Sequence, residues 1–125
     1  MSNPCVLLVE DDHHTQFMMG EMLEMLGMVF EVAKNGSECM ERLKANPDRF
    51  NTILMDIHMP EKSGVEALAD IRGRRDDPPR NMHVVAVTAD TAWHDEHRAR
   101  AAGFNSVLPK PVNMAGVKRA VLRAL

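Results

Sequence analysis

The chemistry-bearing residues of this chain sit where apolar runs stop. Cys5-Val6-Leu7-Leu8-Val9 is followed at once by Glu10-Asp11-Asp12, Thr52-Ile53-Leu54-Met55 by Asp56, and His83 to Val87 by Thr88; Lys110 follows the short run Ser106 to Leu108. Carboxylates brought together repel one another unless a cation neutralises them. Oxygen ligands with few carboxylates and room for water suit Mg2+ better than a dedicated Ca2+ cage. A carboxylate beside such an ion can act as a nucleophile toward phosphorus, with an ammonium and a hydroxyl holding the other phosphoryl oxygens. Asp56 is the candidate nucleophile, Glu10 and Asp11 are candidate metal ligands, and Thr88 and Lys110 are candidate phosphoryl-binding groups. Each has a plainer alternative. Asp12 reads as a helix cap, Thr88 as a strand residue, Lys110 as a solvated loop lysine, and Glu10 and Asp11 as exposed turn residues.

Whether these groups meet depends on the elements that carry them. Short apolar runs alternate with stretches of helical period. The strands read as Cys5 to Val9, Val29 to Ala33, Thr52 to Met55, His83 to Val87 and Ser106 to Leu108. In the first helix Met18, Met22, Met25 and Leu26 follow an i, i+4, i+7, i+8 pattern, and Gly27 ends it. The other helices run from Ser37 to Ala45, through Val65, Leu68 and Ile71, from Ala92 to Ala102, and from Asn113 to Leu125. Five β–α units in strict alternation predict a doubly wound α/β fold of the flavodoxin-like type, a five-stranded parallel sheet with helices on both faces. Pro109 lacks an N–H and suits an edge strand. The charge on the second strand suits the other edge. The order 2-1-3-4-5 satisfies both and puts the switch in strand order between strands one and three, where ligands bind at the carboxyl ends.

The bulk properties exclude several classes. A chain of 125 residues, 45% hydrophobic, is one domain of ordinary size. No apolar run approaches a membrane span, and Met1 to Pro4 resembles neither a signal nor a transit peptide; a cytoplasmic protein is expected, with no membrane association. A net charge of −3 argues against direct nucleic-acid binding. Cys5 and Cys39 form no C-x-x-C pair and read as free thiols. The eleven methionines suit adaptable packing or an adaptable docking face. His94 and His97 lack further ligands at zinc spacing and read as a solvated helix face. His13 and His14 read as exposed residues at a helix start.

"VLLVEDD", "ILMDIHMP-EKSG", "VVAVTAD" and "LPKPV", in this order and spacing, resemble the receiver domain of bacterial two-component response regulators, over essentially the whole chain. The resemblance implies a phosphorelay module. It makes Asp56 the phosphoacceptor, and Asp11 a direct metal ligand. Glu10 would act often through water, Asp56 would share the ion, and His58 would give its backbone carbonyl. Mg2+ is the implied cofactor, with Mn2+ as a substitute. Thr88 and Lys110, with the backbone of Ala89, are the implied phosphoryl-binding and switch residues. His58 and Asp90 occupy positions that tune phosphoryl lifetime in the family, and the bond before Pro111 is a candidate cis peptide. Val107 departs from the pattern, because receivers often carry Tyr or Phe there, coupled to the Thr; Phe104 and Trp93 are candidates to compensate. The Ala89–Ala92 loop and the start of the fourth helix are therefore expected to carry the conformational change.

The implied phosphodonor is a histidine kinase or histidine phosphotransfer protein, and the implied output is a downstream protein whose identity the sequence does not give. His14, Met18 or Met19, and Pro111 are the expected donor-facing side chains. Residues 1–125 are expected to form a single receiver domain without an output domain, a phosphoacceptor rather than an enzyme. Two other classes compete. One is a small Mg2+-dependent aspartyl phosphatase or phosphotransferase, for which turnover of an unrelated phosphomonoester would be the sign. The other is a flavodoxin-like redox module, which the acids after strand one argue against, because they replace a phosphate cradle.

Overall fold

A computed structural model describes residues 5–122. Residues 1–4 and 123–125, including the end of the helix expected to reach Leu125, lie outside the described residues. The chain alternates β1 (Cys5–Val9), α1 (His13–Met25), β2 (Val29–Ala33), α2 (Gly36–Ala45), β3 (Thr52–Asp56), α3 (Gly64–Arg72), β4 (His83–Thr88), a 3-10 turn (Thr91–Trp93), α4 (Glu96–Ala102), β5 (Ser106–Pro109) and α5 (Met114–Leu122). All neighbouring strands are parallel, in the expected order β2-β1-β3-β4-β5.

The period of two in a strand divides the core between the two faces of the sheet. Leu7, Val9, Ile53, Met55, Val84 and Ala86 share one core with Cys39 and Leu43 of α2, Leu68 and Ile71 of α3, and Ala99 of α4. Val6, Leu8, Leu54, Val85 and Val87 share the other with Met19 and Leu23 of α1 and Val117 and Val121 of α5. The three central strands are thus apolar on both faces, as a covered parallel sheet requires. At one edge, Glu31 of β2 pairs with Arg42 at 3.0 Å and also with Arg49, which blunts the open edge. At the other edge lies Pro109, in register with Thr88.

Two readings of the sequence are corrected. The core side of α1 is Met19, Gly20 and Leu23, not the stripe Met18, Met22, Met25 and Leu26. Met22 and Leu26 only flank that core, and Met25 is 74% exposed. Met19 is fully buried, so it faces the core and no donor protein. The second correction concerns the expected helix Ala92 to Ala102. Asp90 caps the 3-10 turn through Ala92 N, and Asp95 caps α4 through His97 N. Two caps five residues apart divide the segment, because each side chain satisfies an amide that a continuous helix would bond internally.

Arg72, the last residue of α3, ties three segments together. Its guanidinium donates to the carbonyls of Gly103 at 2.8 Å, Arg80 at 2.8 Å and Met82 at 2.7 Å, and to Asn105 Oδ1 at 2.9 Å. Charge-assisted hydrogen bonds are individually strong. Arg72→Ala is expected to lower stability by about 2–4 kcal/mol, seen as a lower urea midpoint at unchanged slope. Arg72→Lys should recover little, since an ammonium cannot reproduce the planar fork; full recovery would contradict this account.

Candidate functional site

The carboxyl ends of β1, β3, β4 and β5 carry the predicted residues to one rim. The β1–β3 register pairs Val9 with Met55, so Glu10 and Asp56 extend side by side. Asp56 lies opposite Val87, which places Thr88 one step further along the neighbouring strand. Glu10, Asp11 and Asp56 each offer a carboxylate oxygen, all within 4.8 Å of one another. Lys110 Nζ lies 2.8 Å from Glu10 Oε1 and 3.6 Å from Asp56 Oδ1. Sheet topology thus joins residues 100 positions apart.

The loop after β3 is shaped around this carboxylate. Gly64 N donates to Ile57 O at 2.8 Å, and a Cβ at Gly64 would collide with the carbonyl of Asp56. Glycine here lets the start of α3 pack directly on the backbone of the site. Ser63 and Glu66 form a capping box that fixes where α3 begins. Asp12 caps α1 through Thr15, as expected of it. The peptide bond before Pro111 is cis, also as expected, and those before Pro78 and Pro79 are cis as well.

Burial sets the electrostatics. Glu10 is 1% and Asp56 6% exposed. Burial pushes the Glu10 carboxyl up to about 7, against the hydrogen bonds from Lys110 and the Asp12 N–H that favour its ionised form. Burial also raises Asp56, opposed chiefly by the charge of Lys110. For Lys110, burial pulls the ammonium down, but Glu10 and Asp56 together outweigh it and its pKa is raised. The cluster therefore has more buried negative charge than one lysine offsets.

The raised Glu10 carboxyl, a result chiefly of its burial, has a measurable consequence in the metal-free protein. Between the ordinary value of 4.5 and about 7, the folded state holds a proton on Glu10 that the unfolded state has released. The contribution of Glu10 is therefore most favourable below pH 4.5 and is lost as pH rises toward 7, by on the order of 2–3 kcal/mol. Glu10→Gln should remove this slope. Subtracting its stability curve from that of wild type, in the presence of a chelator, isolates the effect; a flat difference would refute it.

The remaining predicted residues are distributed as follows. Thr88 is buried, and its Oγ1 accepts from Asp90 N at 3.0 Å. Ala89 is exposed between them. His58 and Asp90, both at the surface, meet across the cleft, with Nε2 and Oδ2 2.9 Å apart; the hydrogen bond from His58 holds the Asp90 carboxyl below its usual range. Val107 is half-buried and packs against the core on the α2–α3–α4 side, as does Trp93. His13 and His14 are exposed.

Two residues in the site were not expected from sequence. Gln16 Nε2 donates to the Glu10 carbonyl at 2.6 Å; an amide in the first turns of a helix carries no mark distinguishing it from a solvated one. His94, read as part of a solvated face, is half-buried, and its Nε2 lies 2.8 Å from the Thr88 carbonyl. His97 is exposed, as that reading expected.

The family profile described as "Response regulator receiver domain" matches residues 6–122. The chain belongs to the response regulator receiver domain family. Its receiver is 33% identical over 121 residues to hybrid signal transduction histidine kinase B of Dictyostelium discoideum, covering 90% of this chain and 6% of that protein. The chain spans between 6% and 26% of the length of four such relatives, fungal ones included, so the family is not confined to bacteria. Among solved structures, the receiver domain of a Pseudomonas aeruginosa sensor histidine kinase, with a magnesium ion in its active-site cleft, superposes with a TM-score of 0.82 at 30% identity, covering 98% of this chain and 97% of that one. A Saccharomyces cerevisiae receiver domain, solved with the histidine phosphotransfer protein upstream of it, gives a TM-score of 0.80 at 29% identity, covering 100% of this chain and 95% of that one. This receiver thus has the fold and the acidic site of a phosphoacceptor signalling module. Among the described residues, no helix is long and apolar enough to cross a membrane.

Proposed function

We propose that this receiver accepts a phosphoryl group on Asp56 from a phosphohistidine of a histidine kinase or histidine phosphotransfer protein, and then presents an altered surface to a downstream protein. The observation that carries this reading is a buried Asp56 carboxylate beside Lys110 and within 4.8 Å of Glu10 and Asp11. In the transfer, a bond forms between an Asp56 carboxylate oxygen and phosphorus while the phosphorus–imidazole nitrogen bond breaks, and the leaving imidazole takes up a proton. Lys110 pairs with the added phosphoryl charge, and the Thr88 hydroxyl donates to a phosphoryl oxygen. The role is that of a phosphoacceptor and not of an enzyme acting on outside substrates.

The donor set fits Mg2+: hard carboxylate oxygens, closely spaced and short of positive charge. Asp11, Asp56 and the His58 backbone carbonyl would hold the ion directly. Bound there, Mg2+ supplies charge stabilisation for the phosphoryl oxygens. Glu10 acts differently, because both its oxygens are engaged: Oε1 with Lys110 at 2.8 Å and Oε2 with Asp12 N at 3.1 Å. Asp11→Asn is therefore expected to weaken Mg2+ binding about tenfold or more, and Glu10→Gln less, roughly threefold, at a pH where the carboxyls are ionised. Titration calorimetry checks this ordering; a reversed one would assign direct ligation to Glu10.

The function is tested with a phosphotransfer protein labelled on histidine. Label should pass to this chain in Mg2+ and not in a chelator. Transfer of equal extent in the chelator, or none in either condition across a panel of phosphotransfer proteins, would contradict the proposal.

A further inference from the structure

The structure assigns the missing aromatic member of the switch to Trp93. We propose that Trp93, tied to Thr88 through Asp90 and His94, moves with the Thr88 loop and carries the state of the site to α4, in place of a ring at position 107. This rests on the reading of Asp56 as phosphoacceptor.

Three hydrogen bonds make the tie. Asp90 N donates to Thr88 Oγ1 at 3.0 Å, Trp93 N donates to Asp90 O at 3.0 Å, and His94 Nε2 lies 2.8 Å from Thr88 O. A hydroxyl can donate once and accept twice. Thr88 can therefore donate to a phosphoryl oxygen while still accepting from Asp90, so the loop follows the hydroxyl when it moves inward. The carbonyl side of the same residue is held by His94, which acts as a positioning residue for the loop.

The ring itself is engaged on several sides. Trp93 meets Phe104 edge-on, with centroids 6.1 Å apart and planes at 82°, an arrangement favoured by the ring quadrupoles. Arg98, within α4, stacks 4.2 Å above the Trp93 ring and donates to Ala92 O at 3.2 Å. Phe104 follows the left-handed Gly103 that ends α4, and its N–H bonds Ala99 O. Trp93 therefore contacts both the helix, through Arg98, and its carboxyl end, through Phe104. It packs against the same core as Val107, the strand position at which the resemblance to receivers would place a ring. Val107 also lines an open cavity of about 150 Å³ between α4, β5 and α5, together with Glu96, Leu108, Gly116 and Arg119.

The test is amide hydrogen exchange across Glu96 to Ala102, with and without Mg2+ and beryllofluoride, a phosphoryl mimic, alongside intact-mass labelling by acetyl phosphate. Wild type should change exchange in this segment by about threefold or more. Trp93→Ala should abolish most of that response while acetyl phosphate still labels the chain. Trp93→Ala/Val107→Tyr should restore at least half of it, which a merely structural role for Trp93 would not produce. His94→Ala should weaken the response as well, and it decides the matter if Trp93→Ala fails to fold. A full response in a folded Trp93→Ala or, where that variant does not fold, a full response in His94→Ala, or an unresponsive α4 in labelled wild type, would overturn the relay. Absence of labelling in wild type would instead overturn the phosphoacceptor reading beneath it.

Discussion

Met19→Glu is expected to lose phosphoryl labelling by acetyl phosphate and by a protein donor to the same extent, because it should not fold. Met19 is fully buried between α1 and the sheet, in the core of Leu8, Leu54 and Val117. Replacing it removes a large apolar side chain and puts a carboxyl where no described partner awaits it. A buried unpaired charge and a lost core contact together cost more than about 4 kcal/mol, a large share of the stability of a domain this size. Circular dichroism should show the unfolded chain at neutral pH. Met18→Glu, one residue away and half-buried, should stay folded and label normally with acetyl phosphate. A folded, normally labelled Met19→Glu that is slow only with the protein donor would return Met19 to the docking surface and contradict the packing of α1.

The phase of α1 was not legible because the helix is apolar over too wide an arc. Met18, Met19, Met22, Leu23, Met25 and Leu26 offer more than one stripe at helical spacing. Contacts from elsewhere select among them: a Cβ at Gly20 would come within 2.9 Å of the Phe30 ring on β2, so that side of the helix must face the sheet. The division of the expected Ala92 to Ala102 helix had a signal in sequence, in the cap-forming Asp90 and Asp95, which the run of helix-favouring residues around them outweighed. The strands and their order were legible, because strict β–α alternation and the edge markers Glu31 and Pro109 leave few topologies.

The site was legible through the same topology. Polar residues at the carboxyl ends of strands one, three, four and five must share a rim if the order is 2-1-3-4-5, and Glu10, Asp56, Thr88 and Lys110 do. Sequence could not say that both oxygens of Glu10 are taken, one by Lys110 and one by the Asp12 amide. Nor could it separate His94, bonded to the Thr88 carbonyl, from His97, in solvent. Both facts depend on side chains meeting across loops whose path no local pattern encodes.

The largest functional effect is expected at Asp56, the proposed phosphoacceptor. Asp56→Asn keeps the shape of the side chain and removes its nucleophilic carboxylate. It also removes a buried carboxylate whose own burial is unfavourable and whose charge adds to the effect of burial in raising Glu10, so the variant should fold at least as well as wild type, and a loss of labelling cannot be ascribed to unfolding. The decisive measurement is intact-mass spectrometry of the two proteins after incubation with Mg2+ and acetyl phosphate. Wild type should gain one phosphoryl group, about 80 Da and close to two negative charges at neutral pH, and Asp56→Asn should gain none. An equal gain in both proteins would place the phosphoryl group elsewhere and contradict the account.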